Sequence, residues 1–275
     1  MIKRGWFGVL AVVLTGVAAS AMAADAPQNA PQTKILSLDL KKPFAARSPW
    51  TLTATQGPQV PDPLLGDGMI DGAMTFCLSR DAGRNCDPVL TDIYTRPDPH
   101  DDFDNVFLAP RGLRRAAVLS LPGTPGRPLL LVTTASMMSI DGSARVVTQA
   151  LVYNAAVDRF TLAYRHVTGQ NHNEDLRYMT HGPLSGAIIT AEPTQNAPYG
   201  FWIEVDRLGK SDTFERVYRY RSATHYGDGN PLSAIDSEMP ALEQRMGLWH
   251  PGQPLPSPAQ PCPKPHMVKQ EMWCQ

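Results

Sequence analysis

Five residues with chemical potential crowd into YRYRSATHYGDGNP, residues 218–231: Arg219, Arg221, His225, Tyr226 and Asp228. Arginine offers a planar fork of donors and tyrosine a flat ring with a polar tip, so together they recognise anions and sugars. A histidine beside a carboxylate adds acid–base capacity near neutral pH. Gly227 and Gly229 account for a turn, but a turn needs none of these neighbours. The five residues are therefore the predicted ligand site. Asp236 and Glu238 follow at once in SAIDSEMP (233–240), and they are the expected partners of the two arginines if the stretch is only an ion-paired turn.

A second concentration is RHVTGQNHNEDLRYMTH (165–181), which holds His166, His172 and His181. A loop over Gly169–Glu174 would pair residue 166 with 177 and 162 with 181. Phe160, Leu162, Tyr164, His166, Arg177, Met179 and His181 would then share one face. His172 and Glu174 would sit at the tip, placed for base chemistry or a transition metal, although the Asn and Gly around them are what a turn needs anyway. In DPHDDFDN (98–105), Asp98, His100, Asp102 and Asp104 alternate, and oxygen ligands of this kind suit Ca²⁺. No glycine permits the sharp bend of a calcium loop, so a solvated loop is expected. No metal, cofactor or catalytic residue is assigned.

Familiar catalytic signatures are missing. GPLSG (182–186) sets its serine one place too late for a nucleophile elbow, and no S-x-x-K is present. The chain lacks H-E-x-x-H, a phosphate loop and a dinucleotide fingerprint; GDGMIDG (66–72) reads as turns.

Short apolar runs broken by Gly, Pro, Asn and Asp must position these residues, and that cadence is β structure. RPLLLVTTAS (127–136) is nearly continuous in apolar character and suits a central strand. ARVVTQALVYN (144–154) and DRFTLAYRH (158–166) make a hairpin. Further strands are expected in 175–181, 186–192, 199–207 and 214–222, with short connections that favour antiparallel meanders. On 214–222, Phe214, Arg216, Tyr218 and Tyr220 should face one way, and Glu215, Val217, Arg219 and Arg221 the other. One helix is predicted over 239–249, with Pro240 in its first turn and Gly247 at its exit. No repeat of constant period supports a propeller. The fold class is all-β or β-dominated: an antiparallel meander or sandwich with a short C-terminal helix and a proline-rich tail stapled by a disulfide.

The ends speak of location. Lys3 and Arg4, the apolar run from Trp6 to about Ala19, and Ala21-Met22-Ala23 have the layout of a secretory signal peptide over residues 1–23. The run is short of the ~20 residues of a comfortable membrane span, and no later stretch is long and apolar enough. Residues 24–48 read as a disordered or extended leader, 49–250 as a single β-rich domain, and 251–275 as the tail, with seven prolines in 251–265. Four cysteines in an exported chain favour two disulfides, Cys77–Cys86 and Cys262–Cys274, each worth ~3 kcal/mol on the chain-entropy model.

A formal net charge of −1 gives no basic excess for nucleic acid. The expected protein is soluble and exported to the periplasm or beyond. It reads as a non-catalytic binding or envelope-associated module for a small ligand, a glycan or an envelope protein. A hydrolase with His225 or His172 as base beside Asp228 or Glu174 is the alternative, and a structural protein that captures partners with its proline-rich tail is a third.

Overall fold

Leu129, Leu130, Leu131 and Val132 are consecutive and all buried, and they divide between two cores in the computed structural model. Leu130 and Val132 enter one core, Leu129 and Leu131 the other. A strand that buries both faces lies inside a stack of sheets. The structure describes residues 32–62, 68–90, 109–120, 128–138, 144–169, 174–195, 200–225 and 227–275. The predicted signal peptide, DPHDDFDN (98–105), His172 and Tyr226 lie outside them.

Three antiparallel sheets stack in chain order. The first runs β1 (Thr33–Asp39), β2 (Thr51–Gln56) and β5 (Met74–Ser79); a small hairpin of β3 (Val60–Pro61) and β4 (Met69–Ile70) stands between. The second is the meander β6 (Gly112–Ser120), β7 (Pro128–Ala135), β8 (Arg145–Asn154) and β9 (Arg159–Gly169). The third is β10 (Asp175–Tyr178), β11 (Ile188–Pro193), β12 (Phe201–Leu208) and β13 (Phe214–Arg221). Alternation decides what each face meets. Leu52 and Ala54 of β2, with Phe76 and Leu78 of β5, pack on Leu130, Val132, Leu151 and Phe160 of the second sheet. Leu129, Leu131, Ala150 and Val152 pack from its other face onto Tyr178 and Ile188 of the third. The third sheet's far face, including Ile189, Ile203 and Val205, receives Ile235, Met239 and Leu242 of helix α1 (Ala234–Arg245). Asp158 ties the first two layers together: its carboxylate accepts from Ser48 Oγ (2.5 Å), Trp50 Nε1 (3.2 Å) and Tyr153 OH (2.5 Å).

The β-dominated fold, the central place of 127–136 and the 144–154/158–166 hairpin match the sequence-based expectation. Both predicted disulfides are present. β1 falls within the stretch read as leader and pairs with β2 along its length. No helix among the described residues is long and apolar enough to cross a membrane.

Three local expectations are corrected. The helix starts at Ala234, because Ser233 caps it by accepting the Asp236 amide proton, and Pro240 lies in its interior. Gly247 does mark the exit, at φ +70°. Residues 165–181 do not form a hairpin. His166 pairs with Thr148 of β8, and Arg177 with Ile189 of β11, so β9 ends one sheet and β10 begins the next. Crossing between layers lets Leu176 and Tyr178 cover the apolar face of the second sheet, which doubling back along its edge would leave bare. Finally, a bulge at Val217 splits the expected face of β13: Tyr218 pairs with Val205, but Arg216 with Asp206. Tyr218 and Tyr220 face the helix side, while Phe214 packs toward the second sheet.

The tail ends in a hairpin of β14 (Pro265–Val268) and β15 (Glu271–Cys274), closed by Cys262–Cys274. It is strapped to the domain. Asp236 accepts from the Ala259 (2.9 Å) and Gln260 (3.3 Å) amides, and Asn230 Nδ2 donates to the Met272 carbonyl at 2.8 Å.

Candidate functional site

The loop after β13 turns on Gly227 and Gly229, at φ +81° and +88°. This carries His225 and Asp228 into a cleft of about 520 Å³ beside the first turn of α1. Glu174 and Asp175 line it from the start of β10, Phe201 from β12, and Asn230 and Ser233 from the approach to the helix.

Much of this wall is held in place by its own bonds. Asn230 is spent on structure: Nδ2 donates to Ser237 Oγ (3.0 Å) as well as to Met272, and Oδ1 accepts from the Leu232 amide (3.2 Å). Arg177 Nη2 reaches Ser233 Oγ at 3.1 Å and Asp175 at 3.5 Å. Glu174 accepts from the Gly169 amide, and Asp228 from the Asn230 amide at 2.9 Å, which leaves lone pairs on both carboxylates for a ligand. Glu271 stands near enough to feel the charges of His225 and Asp228, and burial raises its carboxyl above the ordinary range. Among the described residues, no group of three or more His, Cys, Asp or Glu side chains is placed to hold a metal ion.

The two arginines go elsewhere. Arg219 Nε pairs with Glu204 at 2.8 Å, and its guanidinium lies 4.1 Å over the Trp202 ring. Arg216 takes the other oxygen of Glu204 at 2.7 Å. The bulge supplies Arg219 to this pairing, since a regular hairpin from the Leu208–Phe214 pair would set Glu204 opposite Tyr218. Arg221 is exposed at the end of β13, opposite Trp202, and does not line the cleft. Neither Asp236 nor Glu238 serves the arginines of β13. Asp236 takes Arg177 Nη1 at 2.5 Å. Glu238 accepts from Tyr220 OH (2.8 Å), Thr224 Oγ1 (2.7 Å) and the Ala223 and Thr224 amides (3.2 and 2.9 Å).

Arg216 and Arg219 belong to a charged layer between the second and third sheets. His166 Nε2 lies 3.0 Å from Glu192 Oε1, across the gap that the sequence-based hairpin would have closed. The imidazole holds the Glu192 carboxyl below its ordinary range, while burial raises Glu204 and Asp206 against the pull of Arg216. Tyr164, largely buried among these acids, is pushed upward. Charges of both signs meet here, so the layer acts as an ion-pair network that joins sheets.

Of the five predicted ligand residues, His225 and Asp228 share the cleft, Arg219 and Arg221 do not, and Tyr226 lies outside the described residues. Glu174, expected at a loop tip, joins them. Asp175 and Ser233 escaped notice because nothing in their local sequence announces that β10 begins beside a helix cap. The chain matches no protein-family model, no curated protein and no solved structure.

Proposed function

We propose that the protein is an exported, non-catalytic binding module whose ligand is a polyhydroxylated molecule, a glycan or a fragment of one, held in the cleft beside the start of α1. One observation carries this reading: His225 and Asp228, from one loop, converge with Glu174 and Asp175, from another element, around a cavity of about 520 Å³. Carboxylates with spare lone pairs suit hydroxyl donors. The volume falls in the range of small-molecule sites. Two disulfides support an oxidising destination, and the N-terminal layout of residues 1–23 supports export to the periplasm or the outside.

The test is a titration of the mature protein with a panel of mono- and disaccharides, followed by NMR. A binder should shift the amides of 174–175 and 224–230, and the double variant His225→Ala/Asp228→Ala should lose at least tenfold in affinity. Arg219→Ala should leave affinity unchanged. Binding untouched by the double variant would remove the cleft from the argument. Steady turnover of a bound sugar, abolished by His225→Ala, would replace the binding reading with the hydrolase alternative.

A further inference from the structure

The opposite end of α1 carries a second cavity. It measures about 320 Å³ and is lined by Met179 and Met239, by Leu248 and Trp249 just past the helix, and by Pro254 and Pro256 of the tail. Set among these apolar groups is Glu243. Its residue is 5% exposed, and among the described residues its carboxylate has no hydrogen bond and no ion pair. His181 also lines the cavity, but it is exposed and bonded to Thr180 Oγ1 at 3.0 Å.

An unpartnered, buried carboxylate is expensive on two counts. Leaving water without a compensating bond is unfavourable. The position adds to this: Glu243 lies in the last turn of α1, the negative end of the helix dipole, which favours a cation instead. Arg245, the nearest cation in the helix, lies 4.7 Å over the Tyr220 ring. Burial alone raises the Glu243 carboxyl above its ordinary range, with no neighbouring charge to oppose it.

We infer that this cavity is a binding site for an organic cation, an alkylammonium whose charged head meets Glu243 and whose stem lies against Met179, Met239 and Trp249. Each part of the lining then has a use. The cation neutralises Glu243 and the helix end together, the indole contributes a π face, and thioethers fit a flexible alkyl chain. Trp249 is fixed for this by its Nε1–H, which donates to the Pro254 carbonyl at 2.9 Å. The site is separate from the cleft at the other end of α1 and stands or falls independently of the glycan reading.

The same chemistry is presented by a free amine and by a lysine side chain of a peptide. The experiment titrates the full mature protein with n-butylammonium, with Nα-acetyl-lysine methylamide, and with n-butanol as the neutral isostere, following Trp249 and the methyls of Met179 and Met239 by NMR. Both cations should shift these signals, with n-butanol at least tenfold weaker, and Glu243→Gln should reduce cation affinity at least tenfold. Tighter binding of the lysine derivative would assign the cation to a protein partner; tighter binding of butylammonium would assign it to a small amine. Butanol binding as well as butylammonium, no shift with either cation up to tens of millimolar, or undiminished binding to Glu243→Gln would each overturn the proposal. Glu243→Asp provides the check on folding: it keeps the charge and should retain measurable cation binding, and a well-folded Glu243→Asp that binds no cation more tightly than Glu243→Gln counts against the site.

Discussion

Asp236 and Glu238 are buried on the same helix as Glu243, at 0%, 1% and 5% exposure, and the two cases differ in everything else. Asp236 gathers a guanidinium from β10 and two amides from the tail. Glu238 gathers a phenol, a hydroxyl and two amides from β13 and the loop behind it. Glu243 gathers none. Helical spacing presents all three to the protein, but donors arrive only where other segments end. The first two carboxylates act as clamps that hold strand, loop and tail to the helix. The third has the surroundings of a clamp with its partner missing, and that difference separates a structural charge from one kept for a ligand.

The comparison is broken most forcefully at Asp236. Asp236→Ala leaves the Arg177 guanidinium, itself mostly buried, without its closest partner, and removes the acceptor of the Ala259 and Gln260 amides. Breaking a buried ion pair from one side costs about 3–5 kcal/mol. Urea denaturation should show that loss, and limited proteolysis should show residues 251–261 opening ahead of the rest. Glu238→Ala should come next, at about 3 kcal/mol, because several buried donors lose one acceptor together. If either variant were within about 0.5 kcal/mol of wild type, the clamp description would fail.

Glu243→Gln should move the other way. Removing an uncompensated charge at a helix C-terminus should stabilise the ligand-free protein by about 1 kcal/mol at pH 7. Because the folded carboxyl titrates above its unfolded value of about 4.5, wild type is fully stable below that pH and loses stability as pH rises through the folded value. The advantage of Gln should therefore vanish below about pH 4 and grow toward neutrality. An advantage constant with pH would mean that repacking, not charge, distinguishes Glu243 from its neighbours.

Much of the fold was legible because it rests on local pattern. Continuous burial of Leu129–Val132 reads directly as a central strand, and the strands from 175 to 222 are punctuated by turn residues. The cysteine pairs followed from spacing and from the expectation of an exported chain. Part of the candidate site was legible too, since His225 and Asp228, two of the five residues singled out, share a cavity. What failed depended on single events with no sequence signature. One extra residue at Val217 brought Arg219 opposite Glu204, onto the face where Arg216 already stood. A passage between layers, in place of a hairpin, set His166 against Glu192, 26 positions further on. Glu243 was invisible for a different reason: a lone glutamate in a helix looks solvent-facing until the tail is folded over it.

The smallest expected effect sharpens the comparison from outside the helix. Glu192 and His166 form a pair that is partnered like Asp236 but wet like a surface charge, with 39% and 26% of their side chains exposed. Partnership without burial should contribute little, within about 1 kcal/mol, and less in high salt. The sign is fixed by Glu192, whose folded carboxyl is held below its unfolded value, chiefly by the His166 contact. Its contribution is complete above the unfolded value near 4.5 and is lost as pH falls through the folded one. His166→Gln should therefore reduce stability slightly near pH 6, and the deficit should shrink as Glu192 protonates in the wild type. A deficit of several kcal/mol would show that the contact between sheets is far drier than its exposure indicates. In that case burial, more than partnership, would set the worth of every charged pair in the molecule.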